Sequence, residues 1–408
     1  MNNVVNYAWP VTSINNEDLC AVREWIEIKK ELLINREIAI WGAGIRGTEF
    51  SILLKMEKIE NIFFVDSNKQ KWGGTIDEFP IVAPEELYDR MKKEKIHILI
   101  SAENSKEIEE GLLKKGYVSD EDFSVIKTNL YCKYVNEFER EFKQDILVMG
   151  DCEFSKISLG DIDTRNLGDM IKEQCGSNRT KVLAMHGMGL RAHYNIFRAQ
   201  IARGMKPRML IIMINLDTLT GKQHLLPRSQ HAELIQRIYD ISDKRDEEFN
   251  EYLELVKKRS QNIQVEFSTL NRNIRQQNRN DAKARNYFKL NYMYDLDIST
   301  EGVLYLVKFL QDAERLGIKI IPFIPPVNYL FAESLIGEGF NIKYRQNIDK
   351  IKKIVENANV ELLDMSFCLT PDMFAEPNTP DETANELGRR KVANILVNNI
   401  NKKIKEAF

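Results

Sequence analysis

The chain has 408 residues, 43% of them hydrophobic and 29% charged, the profile of a globular protein long enough for two domains with separate cores. A formal net charge of −3 excludes a general attraction to nucleic acid or anionic membranes, and no segment reaches the ~18 uninterrupted apolar residues of a membrane span. Five scattered cysteines (Cys20, Cys132, Cys152, Cys175 and Cys368) lack zinc-ligand spacing, and the N-terminus lacks a basic head and a long apolar run. Reduced thiols and a cytoplasmic location are expected.

Leu19, Trp25, Ile26, Leu32 and Leu33 repeat at helical spacing and predict an amphipathic helix over 17–34, the core of an N-terminal helical segment spanning 1–35. A short strand at 37–41 runs into Gly42-Ala-Gly-Ile-Arg-Gly47 and a helix through Phe50, Leu53 and Leu54. Strands at 61–66 and 96–101 alternate with further helices, so 36–130 reads as a β-α-β-α-β unit with a parallel, doubly wound sheet of three or four strands. Residues 131–144 read as a charged linker.

The alternation restarts at 145. Strands are expected at 145–149, 180–185, 208–215, 318–324 and 359–364, and helices at 193–204, 230–259, 300–316, 343–357 and 380–406. A second α/β domain over 145–408 would therefore carry one helical insertion, about 229–299. Its 257–289 stretch is basic through Lys257, Lys258, Arg259, Arg272, Arg275, Arg279, Lys283, Arg285 and Lys289. That pattern fits a solvated helical face or lid, or a phosphate-binding surface.

Gly42-x-Gly44-x-x-Gly47 follows a strand and opens a helix, and Asp66 ends the next strand. The first glycine would make the tight turn, the second would admit a pyrophosphate to the backbone, and the third would pack the helix on the sheet, whose N-terminus favours the anion. Asp66 would then accept ribose hydroxyls. This context predicts a Rossmann-like fold, with a nucleotide or nucleotide-sugar as its cofactor or, alternatively, no ligand at all. The stretch Asp66-Ser-Asn-Lys-Gln-Lys-Trp-Gly73, then Pro80 and Pro84-Glu-Glu-Leu87, resembles the small Rossmann-like modules of bacterial sugar-modifying and surface-polysaccharide enzymes.

In the second domain, the apolar run Asp145-Ile-Leu-Val-Met149 breaks at Gly150-Asp151, and the next side chain is the thiol of Cys152. A strand ending this way delivers a nucleophile to the carboxyl edge of a parallel sheet. His186 and His193 fall near the same edge and are either packing residues or a base for Cys152. Near the C-terminus, Thr379-Pro-Asp-Glu382 reads as a helix N-cap, a proline at N1 and a capping-box glutamate.

These landmarks resemble the SGNH (GDSL-like) hydrolase superfamily, including its D-alanine transfer and alginate-acetylation proteins. Gly150-Asp-Cys152 stands where that family has Gly-Asp-Ser, Gly187-Met-Gly189 where it places an oxyanion-hole glycine, and Asn215 where it has an oxyanion asparagine. Ile324-Pro-Pro-Val-Asn-Tyr329 is similar to its "PPVN" segment, and Asp381 to Ala393 to its closing "D..HLN..G....A" block. The resemblance implies a flavodoxin-like α/β/α sandwich and acyl-ester chemistry on a bacterial surface glycan or its precursor. Cys152 would be the nucleophile, with Gly187 or Gly189 and Asn215 as the oxyanion hole. Counting from Asn385 and Gly388 puts Thr383 at the family's histidine and Pro380 at its aspartate. A shift of one residue matches Asp381 to the aspartate and leaves Ala384 at the histidine. Neither alignment supplies a base; a cysteine thiolate, accessible near neutral pH, needs a strong base less than serine does, and His186 is the candidate substitute.

Three functions follow. One is an SGNH-type esterase or acyltransferase using Cys152 on an acyl-ester. The second is a degenerate SGNH-like module that binds a saccharide without turnover. The third is a nucleotide-sugar-binding protein acting through Gly42, Gly44, Gly47 and Asp66.

Overall fold

The structure, a computed structural model, describes residues 13–33, 36–102, 105–126, 130–141, 145–185, 187–220, 231–242, 246–262, 281–380 and 382–406. The chain divides into two compact units, with the boundary between Asn129 and Leu130.

In the first unit, helix α1 (Asn16–Leu33) precedes strand β1 (Glu37–Trp41), α2 (Ile45–Met56) and β2 (Ile62–Val65). Next come β3 (Thr75–Ile76), β4 (Phe79–Val82), α3 (Pro84–Met91), β5 (Ile96–Ile100), α4 (Ser105–Lys114) and β6 (Phe123–Val125). The sheet order is β3-β4-β2-β1-β5-β6, parallel throughout except for the antiparallel pair β3–β4. The sheet therefore has six strands, not three or four. The missed ones are two to four residues long, and β4 contains Pro80, too little pattern for an alternation signal. Ala39, Trp41, Phe63, Val65, Ile98 and Ile100 fill one face with Leu87 of α3 and Leu112 of α4. Ile38, Ile40 and Phe64 are buried on the alternate pleat, as are Phe50, Leu53 and Leu54 of α2.

The second unit begins with helix α5 (Leu130–Glu139), so the stretch expected as a linker is largely a helix whose Tyr134 and Phe138 belong to the second core. Five strands form its sheet: β7 (Ile146–Gly150), β8 (Thr180–Ala184), β9 (Met209–Met213), β10 (Lys319–Ile324) and β11 (Leu363–Asp364). Their order is β8-β7-β9-β10-β11 and every pair is parallel. Leu147, Met149, Leu210, Ile212 and Ile320 point to one face with α7 (Leu190–Ala202) and α11 (Glu301–Leu316). Ile146, Val148, Met209, Ile211 and Phe323 point to the other, against α6 (Leu167–Cys175) and α14 (Glu386–Lys405). Burial on both pleats explains why these strands read as unbroken apolar runs.

Among the described residues, the expected insertion contributes three helices, Ala232–Ile241, Glu247–Asn262 and Asp281–Asn291. Leu234, Ile235, Leu253, Val256 and Phe288 from them join the same core, which makes them structural as well as peripheral. Most of the basic stretch, 263–280, lies outside the described residues. Among its described members, Lys257 pairs with Glu254 and Arg285 donates to the Leu335 carbonyl.

Candidate functional site

The strand order places the chain reversal at β7. The connection leaving β7 goes to β8 on one side, and the next goes to β9 on the other, which opens a crevice beyond the carboxyl ends of these strands. The register aligns the ends: Gly150 lies opposite Ala184, and Met149 opposite Ile212. Asp151, Cys152, Gly187 and Asn215 all follow these ends in the chain, with Gly189 capping α7.

Asp151 is buried and caps a short 3-10 turn, Cys152–Phe154, by accepting from Glu153 N at 3.1 Å. Its second oxygen accepts from Asn215 Nδ2 at 3.2 Å, and the same nitrogen donates to Glu382 Oε2 at 3.3 Å. Asn215 Oδ1 accepts from Asp217 N at 3.3 Å. The asparagine is thereby fully used: an amide nitrogen carries two hydrogens, and two carboxyls take them.

Glu382 is the residue that sequence reasoning misread. The helix expected from 380 starts at Glu386, and its cap is Asn385, whose side chain accepts from Leu387 N and Gly388 N. Glu382 lies before that cap, 8% exposed, with Oε1 meeting no hydrogen-bond partner. Two devices hold its segment in place. Asn328, at the end of the β10 loop, donates to the carbonyls of Pro377 and Thr379. Arg389, 1% exposed, donates to the Ala384, Asp163 and Arg165 carbonyls and pairs with buried Asp161.

The electrostatics oppose a thiolate. Burial pushes the Cys152 thiol well above its ordinary range; Lys156 pulls it back in part, and Asp151, Glu153 and Asp217 each add a smaller push upward. Burial also raises Glu382 well above the carboxylate range, aided by Asp217, Glu153 and Asp151, and raises Asp151. His193 is buried in α7 with Nδ1 unpartnered, and burial lowers it to about 3, so it stays neutral. His186 and Asp381, the expected base and aspartate, lie outside the described residues. Thr383 is buried, and its carbonyl accepts from Ala375 N.

In the first unit the glycine loop has the expected local reasons. Gly42 has φ +123°, and a Cβ there would meet Ser101 Oγ at 2.8 Å. A Cβ on Gly47 would stand 2.0 Å from the Gly42 carbonyl oxygen, whereas one on Gly44 would meet nothing within 4 Å. Asp66 accepts from Ala43 N at 3.0 Å and from Asn68 N at 2.8 Å, and forms an ion pair with Lys71 at 2.6 Å. Lys71 also donates to the Ala43 carbonyl. The carboxylate expected to hold ribose thus anchors the loop itself, and Lys71 brings a positive charge beside it.

Residues 34–122 match a family described as C2185-like, N-terminal, a stretch that contains β1 to β5 and the glycine loop. No curated protein matches the chain. Among the described residues, no helix is long and apolar enough to cross a membrane.

Proposed function

We propose that the second unit is an SGNH-like domain that binds a saccharide or its acyl ester through the carboxyls of Asp151 and Glu382, without turning it over through Cys152. One observation carries this reading. Asn215, which would donate to an oxyanion in an acyl-transfer site, has both amide hydrogens committed to Asp151 and Glu382. The thiol beside them is held protonated by burial and three carboxyls, so it lacks the thiolate that attacks an ester. A buried carboxyl with an open oxygen, Glu382 Oε1, is an acceptor suited to a sugar hydroxyl.

Incubation with short-chain aryl esters tests this directly. Wild type and Cys152→Ala should both lack a product burst and an acylated thiol, and both should bind glycan fragments equally. A burst that disappears in Cys152→Ala would establish the acyltransferase instead. That second reading draws on the position of Cys152 at the strand-end crevice of a parallel sheet.

For the first unit, the open space at Gly44 at the start of a 12-residue helix supports nucleotide or nucleotide-sugar binding, with Lys71 rather than Asp66 facing the phosphates. Titration with NAD, UDP-sugars and CoA tests it, and silence with all three would leave the loop a structural turn.

A further inference from the structure

The crevice beyond β9 and β10 holds a cavity of about 20 Å³. Phe154, Met213, Pro325, Pro326, Ala384 and Val392 line it, and of all its lining residues only Glu153 is partly exposed, so the cavity opens on that side. Three wall residues stand two positions along the chain from the polar cluster: Glu153 from Asp151, Met213 from Asn215 and Ala384 from Glu382. Two glycines let the walls close. A Cβ on Gly150 would stand 2.4 Å from the Phe154 ring, and one on Gly388 would stand 2.9 Å from the Ala384 Cβ. The two prolines have no N–H, so the chain leaving β10 offers no backbone donor at those positions. A water in such a space needs roughly two to four polar partners. The wall is apolar except for Glu153 and Arg389, and the Arg389 guanidinium is held by Asp161 and three carbonyls.

We infer that this cavity seats the methyl of an acetyl group carried by a saccharide, on nitrogen or on oxygen. Its volume exceeds the ~10–15 Å³ that admits one water-sized group, and a methyl is close to that size. An acetyl end therefore fits, whereas a butyryl chain is too long. The apolar wall rewards that choice, since a carbon buried there leaves water without breaking a hydrogen bond. The sugar ring would stay outside, on the Glu153 side. No bond is made or broken in this step: the acetyl group is an anchor that separates acetylated sugars from bare ones. The assignment rests on the saccharide reading of the same crevice for what carries the acetyl group.

The test uses the full chain with ¹³C-labelled methionine methyls, titrated with acetamide and with formamide. The Met213 methyl, assigned through Met213→Leu, should shift and show a nuclear Overhauser effect to the acetamide methyl, and should ignore formamide. In calorimetric titrations with N-formyl, N-acetyl and N-butyryl forms of a glucosamine trimer, the acetyl form should bind about tenfold or more tighter than the other two. O-acetyl xylotriose should outrank its O-butyryl and saponified forms in the same way, and the series that binds shows which atom carries the group. Val392→Ile and Ala384→Val fill the cavity from two walls. Filling existing space keeps the fold, so each should hold the wild-type melting temperature and erase the acetyl preference. Equal affinity across each acyl series, a Met213 methyl that responds to formamide as it does to acetamide or to neither, or a preference intact in both filled variants would overturn the assignment. Glycan binding indifferent to the acyl group sinks the acetyl seat alone, whereas a Met213 response to acetamide without any glycan binding sinks the saccharide reading alone.

Discussion

Replacing Arg389 by methionine should destabilise the second unit sharply and loosen the Glu382 segment. The guanidinium is 1% exposed, and its partner Asp161 is 3% exposed. Arg389 also donates to three carbonyls, those of Arg165 (3.0 Å), Ala384 (3.0 Å) and Asp163 (2.7 Å), two in the loop before α6 and one just past Glu382. Methionine has a similar volume but no donor, so Asp161 would be left as a buried charge beside unsatisfied carbonyls. Breaking a buried pair from one side costs about 3–5 kcal/mol. For a unit of this size each kcal/mol moves the melting temperature by roughly 2–4 °C, which gives a fall of about 6–20 °C. Asp161 accepts from Ser158 N on one oxygen and from Glu386 N on the other; Asp161→Asn in the Arg389→Met background keeps only one of these acceptors but removes the uncompensated charge, so it should recover part of the loss. Urea unfolding of the four proteins of this cycle measures the coupling. A cost for Arg389→Met below about 1 kcal/mol, or no recovery in the double variant, would refute the argument that this pair clamps the segment.

Further outcomes can be checked in the first unit. Gly47→Ala should cost about 1–3 kcal/mol, because its Cβ would stand 2.0 Å from a backbone oxygen and the helix must shift. Gly44→Val should leave the melting temperature nearly unchanged yet abolish nucleotide binding, and equal loss of stability in the two variants would contradict the open space at Gly44. His97 is fully buried between the Glu121 carbonyl (Nδ1, 3.1 Å) and the Ser124 hydroxyl (Nε2, 2.9 Å), a pairing that suits the neutral ring. Burial lowers it from 6.5 to about 4, with Arg36 and Lys29 adding to the effect against the Glu121 hydrogen bond and Asp122. A lowered histidine contributes its stability above the unfolded value and loses it as pH falls through the folded one. Between pH 6.5 and 4 the unit should therefore lose on the order of 3 kcal/mol, and His97→Gln should flatten that slope in urea titrations at stepped pH.

How much of this was legible beforehand differs between fold and site. Strands β1, β2, β5, β7, β8, β9 and β10 stood out because parallel strands buried on both faces are continuous apolar runs, and their alternation with helices implied parallel sheets in two units. Gly42 and Gly47 were readable because a positive φ and a close backbone approach each demand glycine locally. Short strands such as Phe123–Val125 escaped, being too brief for a period to register. The helix Leu130–Glu139 reads as a linker because its charged residues mask Tyr134 and Phe138, whose burial exists only once the second core is assembled.

The site followed the same division. The sequence by itself determined that Gly150, Asp151, Cys152 and Asn215 come at strand ends, because strand ends are local events. It could not determine that Asn215 spends its amide on Asp151 and Glu382, three residues far apart in the chain that only the folded sheet brings together. A glutamate three positions after a threonine has the pattern of a capping box whether or not a helix begins there. Only tertiary packing, through Asn328 and Arg389, pulls Glu382 inward and leaves Asn385 to cap the helix. The protonation of Cys152 was decided there too, since a thiol's acidity is set by burial and the charges around it, and those belong to the fold rather than to the order of residues.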